Sequence, residues 1–126
     1  MPLSKIYTNF LITDESVFIE AFHSKMQEVL KIPEYDRLVT LDQKEKGFYQ
    51  PTNTTGKYIL FEISLFSGRT IEAKRELYKS LIDLAIQHDV DPNNVRIVLN
   101  EVEMENWGIR GGQAASDVVL GFKTTV

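Results

Sequence analysis

The chain has 126 residues and no cysteine. That absence excludes disulfides, iron–sulfur clusters and thiol nucleophiles, and it fits a reducing compartment. Positive charge is also in short supply, because 14 lysines and arginines face 18 aspartates and glutamates, for a formal net charge of −4. Without a basic block the chain lacks the attraction that nucleic acid or an anionic membrane surface requires, so neither is expected as a partner. No stretch approaches the ~20 apolar residues of a membrane-spanning helix. The opening MPLSKIYTNF has no long apolar run of the signal-peptide kind, which makes a cytoplasmic protein the expectation. The two histidines, His23 and His88, have no partners at ligand spacing, so no metal site is expected. The glycines at 108, 111 and 112 lack the strand-loop-helix setting of a phosphate loop and read as a turn.

With 43% hydrophobic and 25% charged residues, the composition is that of a folded globular chain, and the length suits a single domain over residues 1–126. From Asp14 onward Val17, Phe18, Ala21, Phe22, Met26, Val29 and Leu30 recur at helical spacing, with Thr13 or Asp14 as N-cap and Pro33 past the end. A second amphipathic helix is predicted after Thr70, with Leu77, Tyr78, Leu81, Ile82 and Ala85 on one face and Pro92 beyond its end. Residues 58–66 (YILFEISLF) read as a central strand that is apolar on nearly both faces. Residues 3–7, 37–41 and 95–102 read as further strands, residues 41–55 as a polar insertion, and residues 118–122 as a final short strand.

An internal repeat organises these pieces. Pro33-Glu-Tyr-Asp-Arg37-Leu-Val matches Pro92-Asn-Asn-Val-Arg96-Ile-Val at a constant offset of 59 residues, since 92 − 33 equals 96 − 37. Two right-handed βαβ units predict an α/β (α+β) fold with a four-stranded mixed sheet and both helices on one face. The other face, with Leu60 and Phe66, then requires a cover, and a symmetric oligomer supplies one economically.

Two residue types carry candidate chemistry. Pro2, if Met1 is removed, becomes a secondary amine, which burial and nearby cations can turn into a base near neutrality; an internal proline has only an amide nitrogen. Proline at position 2 also occurs in many proteins without any catalytic role, so residue type alone leaves both readings open. Arg69 sits in a Gly-Arg-Thr turn at a helix start, where its planar fork and the helix dipole both favour a carboxylate. An exposed arginine beside a Thr70 cap is the plainer reading.

Met1-Pro2-Leu3 opening a strand, the duplicated βαβ, and Ser64-Leu-Phe-Ser-Gly-Arg69-Thr-Ile-Glu-Ala-Lys74 entering the second helix together resemble the tautomerase superfamily. Pro33-x-x-Asp36-Arg37 and Glu105-Asn-Trp107-Gly-Ile-Arg110-Gly-Gly extend the resemblance over nearly the whole chain, most closely to the long-subunit branch that includes malonate semialdehyde decarboxylase. The resemblance implies a homotrimer of the fold shared with macrophage migration inhibitory factor, no cofactor, and a small carboxylate-bearing substrate. It implies catalytic roles for Pro2 as base, Arg69 as carboxylate clamp and Asp36 in handling water. Asp36 also reads as an ordinary turn residue. Trp107 and Arg110 are implied as a substrate-binding wall and second cation in a neighbouring subunit's site, with a structural anchor and a surface arginine as the alternatives. Where the decarboxylase has a second arginine two positions before the clamp, this chain has Ser67. The activity implied is keto–enol proton transfer on a 2-oxo acid, with hydration or decarboxylation of a small oxo acid second. A non-catalytic ferredoxin-like ligand-binding module is the reading outside enzymology.

Overall fold

Alternation in short β-rich runs and 3.6-residue periodicity between them produce the observed element order. A computed structural model describes residues 2–126; the expected removal of Met1 concerns a residue outside these. The first unit is β1 (Leu3–Thr8), α1 (Glu15–Leu30) and β2 (Leu38–Gln43), and the second is β3 (Ile59–Phe66), α2 (Ile71–Gln87) and β4 (Val95–Val102). The sheet order is β2-β1-β3-β4, with β1 parallel to β2, β3 parallel to β4, and the two units joined by the antiparallel pair β1–β3. This is the duplicated βαβ architecture that the repeat predicts.

Local chemistry sets the helix ends. Asp14, not Thr13, caps α1, its carboxylate accepting from the Val17 N–H at 3.2 Å. Lys31 then takes a left-handed conformation (φ 56°), and its N–H closes on the Gln27 carbonyl. Thr70 caps α2 by accepting from the Ala73 N–H at 3.1 Å. Inside, β1 and β3 present Ile6, Ile59, Phe61, Ile63 and Leu65 to Phe18, Phe22, Met26 and Leu30 of α1 and to Leu77, Leu81, Leu84 and Ala85 of α2. The Phe22 and Phe61 rings stack with centroids 5.8 Å apart. The buried stripe of α2 includes Leu84, whereas the expected Tyr78 and Ile82 are only half-buried, and Val17 of α1 is exposed. Burial of Leu81 or Phe22 is the kind of contact whose truncation to alanine costs about 2–5 kcal/mol.

Two expectations are corrected. Residues 118–122 form no strand; the chain instead makes the two-residue strands β5 (Gly108–Ile109) and β6 (Gln113–Ala114), a tight helical turn over Ala115–Asp117, and an irregular tail. Gly121, at φ 80°, breaks the extended run there. The sheet face turned away from the helices is also less apolar than the sequence implies. Phe66 is buried within the chain itself, met edge-on by the Trp107 ring at 5.2 Å. Alongside Leu60 that face carries Glu62 and Ser64, and the register sets Lys5 opposite Glu62. It is a mixed face, with Val98 40% exposed. Among the described residues, no helix is long and apolar enough to cross a membrane.

Candidate active site

Topology brings three separated parts of the chain to one end of the sheet. Because β1 and β2 run parallel, Leu3 pairs with Leu38, so Pro2 and the residues just before β2 lie together at the strand starts. Because β3 runs antiparallel to β1, Leu3 also pairs with Ser64, which sends the β3–α2 turn, residues 67–70, to the same end. Pro2, Asp36 and Arg69 converge there for that reason.

Pro2 is buried and lines a small pocket with Ser4, Phe22, His23, Met26 and Asp36. The pocket leaves no room for a water molecule. Asp36 is 3% exposed and ends a turn in which its own N–H donates to the Pro33 carbonyl at 3.1 Å. Arg37, which follows it, pairs with Glu20 of α1 at 2.5 Å at the surface.

Arg69 is 7% exposed, unlike the solvated turn arginine of the plainer reading. Gly68 makes the approach possible: its φ of +112° suits glycine, and a Cβ there would meet the Thr125 side chain at 3.3 Å. The guanidinium reaches from the N-terminal end of α2 to the C-terminal end of α1, where Nη1 donates to the Leu30 carbonyl, one of the four that an α-helix leaves free. The same nitrogen donates to the Val126 main-chain oxygen at 3.2 Å. Arg69 Nε, also buried, has no hydrogen-bond partner among the described residues. Burial lowers the pKa of the guanidinium below the ordinary arginine value, and the Asp36 carboxylate acts against that shift. The cation and the carboxylate therefore sense each other across the same end of the sheet.

Trp107 and Arg110 do not line the Pro2 pocket. Trp107 covers Phe66 and donates from Nε1 to the Val102 carbonyl at 3.1 Å. Arg110 is exposed in the β5–β6 loop, with φ 50°, and donates to the Val119 carbonyl at 3.2 Å. Among the described residues, no group of three or more His, Asp or Glu side chains is placed to hold a metal. Ser4 and His23, neither singled out from the sequence, are both nearly fully buried in the Pro2 pocket. Strand alternation would place Ser4 on the helix-covered face, and His23, three residues before Met26 and seven before Leu30, lies at helical spacing on the buried stripe of α1.

Residues 34–110, more than half of the chain, match the family described as tautomerase enzyme. A probable tautomerase of Bacillus subtilis strain 168, YusQ, is 29% identical over 99 residues, covering 73% of this chain and 78% of the relative. Among solved structures, malonate semialdehyde decarboxylase FG41 inhibited by 3-bromopropiolate superposes with a TM-score of 0.74 and 22% identity, covering 89% of this chain and 92% of that one. A fused 4-OT described as a wild-type symmetric trimer superposes with a TM-score of 0.79 and 18% identity, covering 90% and 96%. At these identities the superpositions establish a shared fold, and the family match covers both the Asp36 turn and Arg69. The chain belongs to the tautomerase family.

Proposed function

We propose that the protein catalyses keto–enol proton transfer on a small 2-oxo acid, with the nitrogen of Pro2, freed from Met1, as the base. The observation that carries this reading is the convergence of Pro2, Asp36 and Arg69 at one end of the sheet. In the ketonising direction the amine takes the proton from the enol hydroxyl and returns a proton to the adjacent carbon. The carbon–carbon double bond is lost as the carbonyl forms, so no other reactant is consumed. Arg69, with the α2 N-terminus beside it, binds the substrate carboxylate and stabilises negative charge developing on the enolate oxygen. Asp36 steadies the ammonium that Pro2 becomes between the two transfers.

A substrate carboxylate on Arg69 Nη1 competes with the Val126 main-chain oxygen, and the small Pro2 pocket must widen to admit a ligand. A homotrimer suits the exposed part of the mixed sheet face, and the symmetric trimer among the related structures supports that reading. Trp107 and Arg110, which do not line the Pro2 pocket of their own chain, would in such a trimer be available to a neighbouring subunit's centre. Light scattering tests the assembly, and a monomer at micromolar concentration would remove it.

Hydration or decarboxylation of a three-carbon oxo acid is the second reading, favoured by a buried carboxylate, Asp36, lining the same pocket as Pro2, and it requires that pocket to open enough to admit water. One assay separates the two. Phenylpyruvate enol followed in the ultraviolet reports ketonisation, and carbon dioxide release from a 3-oxo acid reports decarboxylation; the first is expected to exceed the buffer rate by orders of magnitude and the second to stay near it.

A further inference from the structure

His23 projects from the middle of α1 into the protein and is 3% exposed. Its Nε2 lies 2.7 Å from the main-chain oxygen of Glu34, eleven residues further along the chain. A carbonyl oxygen can only accept, so Nε2 carries the hydrogen and donates. Glu34 is the second residue of the turn that begins at Pro33 and is closed by the Asp36 N–H. The imidazole thus anchors a peptide inside the loop that delivers Asp36, while its ring lines the same pocket as Pro2 and Asp36.

We propose that His23 is a positioning residue for the proton-transfer centre. By donating from Nε2 to Glu34, it holds residues 33–36 so that the Asp36 carboxylate is presented to Pro2 in the pocket they share. This rests on Pro2, Asp36 and Arg69 forming the reacting centre, and it deepens that reading by naming what keeps the carboxylate in place. The physical need is plain. The turn has an exposed tip, with Tyr35 71% exposed, and among the described residues no strand pairing until Leu38. The Arg37–Glu20 pair ties the surface side of this stretch to α1, and the His23 hydrogen bond ties its buried side to the same rigid helix, where it fixes a turn more than it would a strand that is already paired. Asp36 acts on the ammonium formed during turnover, whereas Arg69 acts on the bound carboxylate. Loss of His23 should therefore weaken kcat and leave KM nearly unchanged.

The experiment compares processed wild-type enzyme with His23→Leu, which keeps bulk but removes the donor, and His23→Gln, whose side-chain amide nitrogen can reach the place of Nε2. His23→Leu is expected to lower kcat for enol ketonisation at least tenfold with KM within twofold, and His23→Gln to recover most of the loss. Hydrogen exchange of the Asp36 amide is measured in parallel, and is expected to run at least fivefold faster in His23→Leu and near the wild-type rate in His23→Gln. Unchanged kcat in His23→Leu, or equal losses in both variants, would overturn the assignment. Should blocking the Pro2 nitrogen leave activity intact, it is the proton-transfer reading that falls, and the exchange rates alone then decide: acceleration that glutamine rescues upholds the coupling of His23 to the Asp36 turn, and unchanged exchange rejects it.

Discussion

Asp36 and Arg69 are 33 residues apart in sequence, yet both are almost fully buried at one end of the sheet, and the carboxylate opposes the loss of basicity that burial imposes on the guanidinium. A buried cation without a compensating anion is costly, so each group helps to pay for the other's burial. Asp36→Asn keeps the shape and removes the charge. It should destabilise the fold by about 1–3 kcal/mol in urea unfolding, with the midpoint shifted and the slope unchanged. A midpoint equal to wild type would mean that Arg69 is compensated elsewhere.

Arg69→Lys separates charge from geometry. Lysine keeps a cation but loses the planar fork and the buried Nε, which has no hydrogen-bond partner among the described residues. Steady-state kinetics on an anionic enol should show a loss in kcat/KM of one or more tenfold steps, each ~1.4 kcal/mol, for Arg69→Ala, with Arg69→Lys in between. Folded variants with wild-type kcat/KM would leave Arg69 a purely structural clasp between α1 and α2.

Much of this arrangement is legible in the sequence because its signals are local. Helical spacing, side-chain caps and the Pro33/Pro92 repeat all act over a few residues, and they yield the two βαβ units. One failure is local and the rest are non-local. Residues 118–122 alternate Val118, Leu120 and Phe122 as a strand does, but Gly121 turns the chain at positive φ, and Phe122 packs against the core instead. Phe66 looked uncovered because its cover, Trp107, comes from beyond β4. Helical spacing puts His23 on the buried stripe with Met26 and Leu30, but its partner is a main-chain oxygen, which carries no residue identity. Pro2 and Arg69 stand out by residue type and position with a plainer reading open for each, and Asp36 only through the resemblance; their convergence follows from strand direction, which spacing alone does not give.

Trp107 offers a test of the covering role. Trp107→Ala uncovers Phe66 and strands the Val102 carbonyl without its indole donor, and should cost about 2 kcal/mol of stability. Trp107→Phe should recover the packing share alone. If both variants match wild type in thermal unfolding, Phe66 is buried well enough without the ring.

At the surface, the hydrogen bond from Arg37 lowers the pKa of Glu20 below its ordinary value of 4.5. A depressed folded-state pKa contributes stability that is present above the unfolded value and lost as pH falls through the folded one. Glu20→Gln should therefore flatten the fall in stability below about pH 4.5, slightly, because the pair is solvent-screened. Denaturant titrations at a series of pH values measure it; a slope as steep as wild type would show that the pair is not maintained in solution.

The most discriminating expectation concerns the nitrogen of Pro2. In a peptide bond that nitrogen is an amide with no basic lone pair, whereas a terminal proline is a secondary amine that can accept a proton. Protein with Met1 removed, verified by mass spectrometry, should ketonise phenylpyruvate enol far faster than buffer, with a rate that rises as one group loses its proton. Protein with retained Met1 or an N-terminal tag should lose nearly all of that rate while keeping its fold and oligomeric state by circular dichroism and light scattering. Pro2→Ala leaves a primary amine at the same strand start, so partial loss is expected, and that variant separates placement of the base from its existence. Blocking is the stronger test, because it removes the lone pair and leaves the proline ring, Asp36 and Arg69 in the chain. A blocked enzyme as active as the processed one would assign the base to another group and end the role proposed for Pro2, even though the strands would still bring it to Asp36.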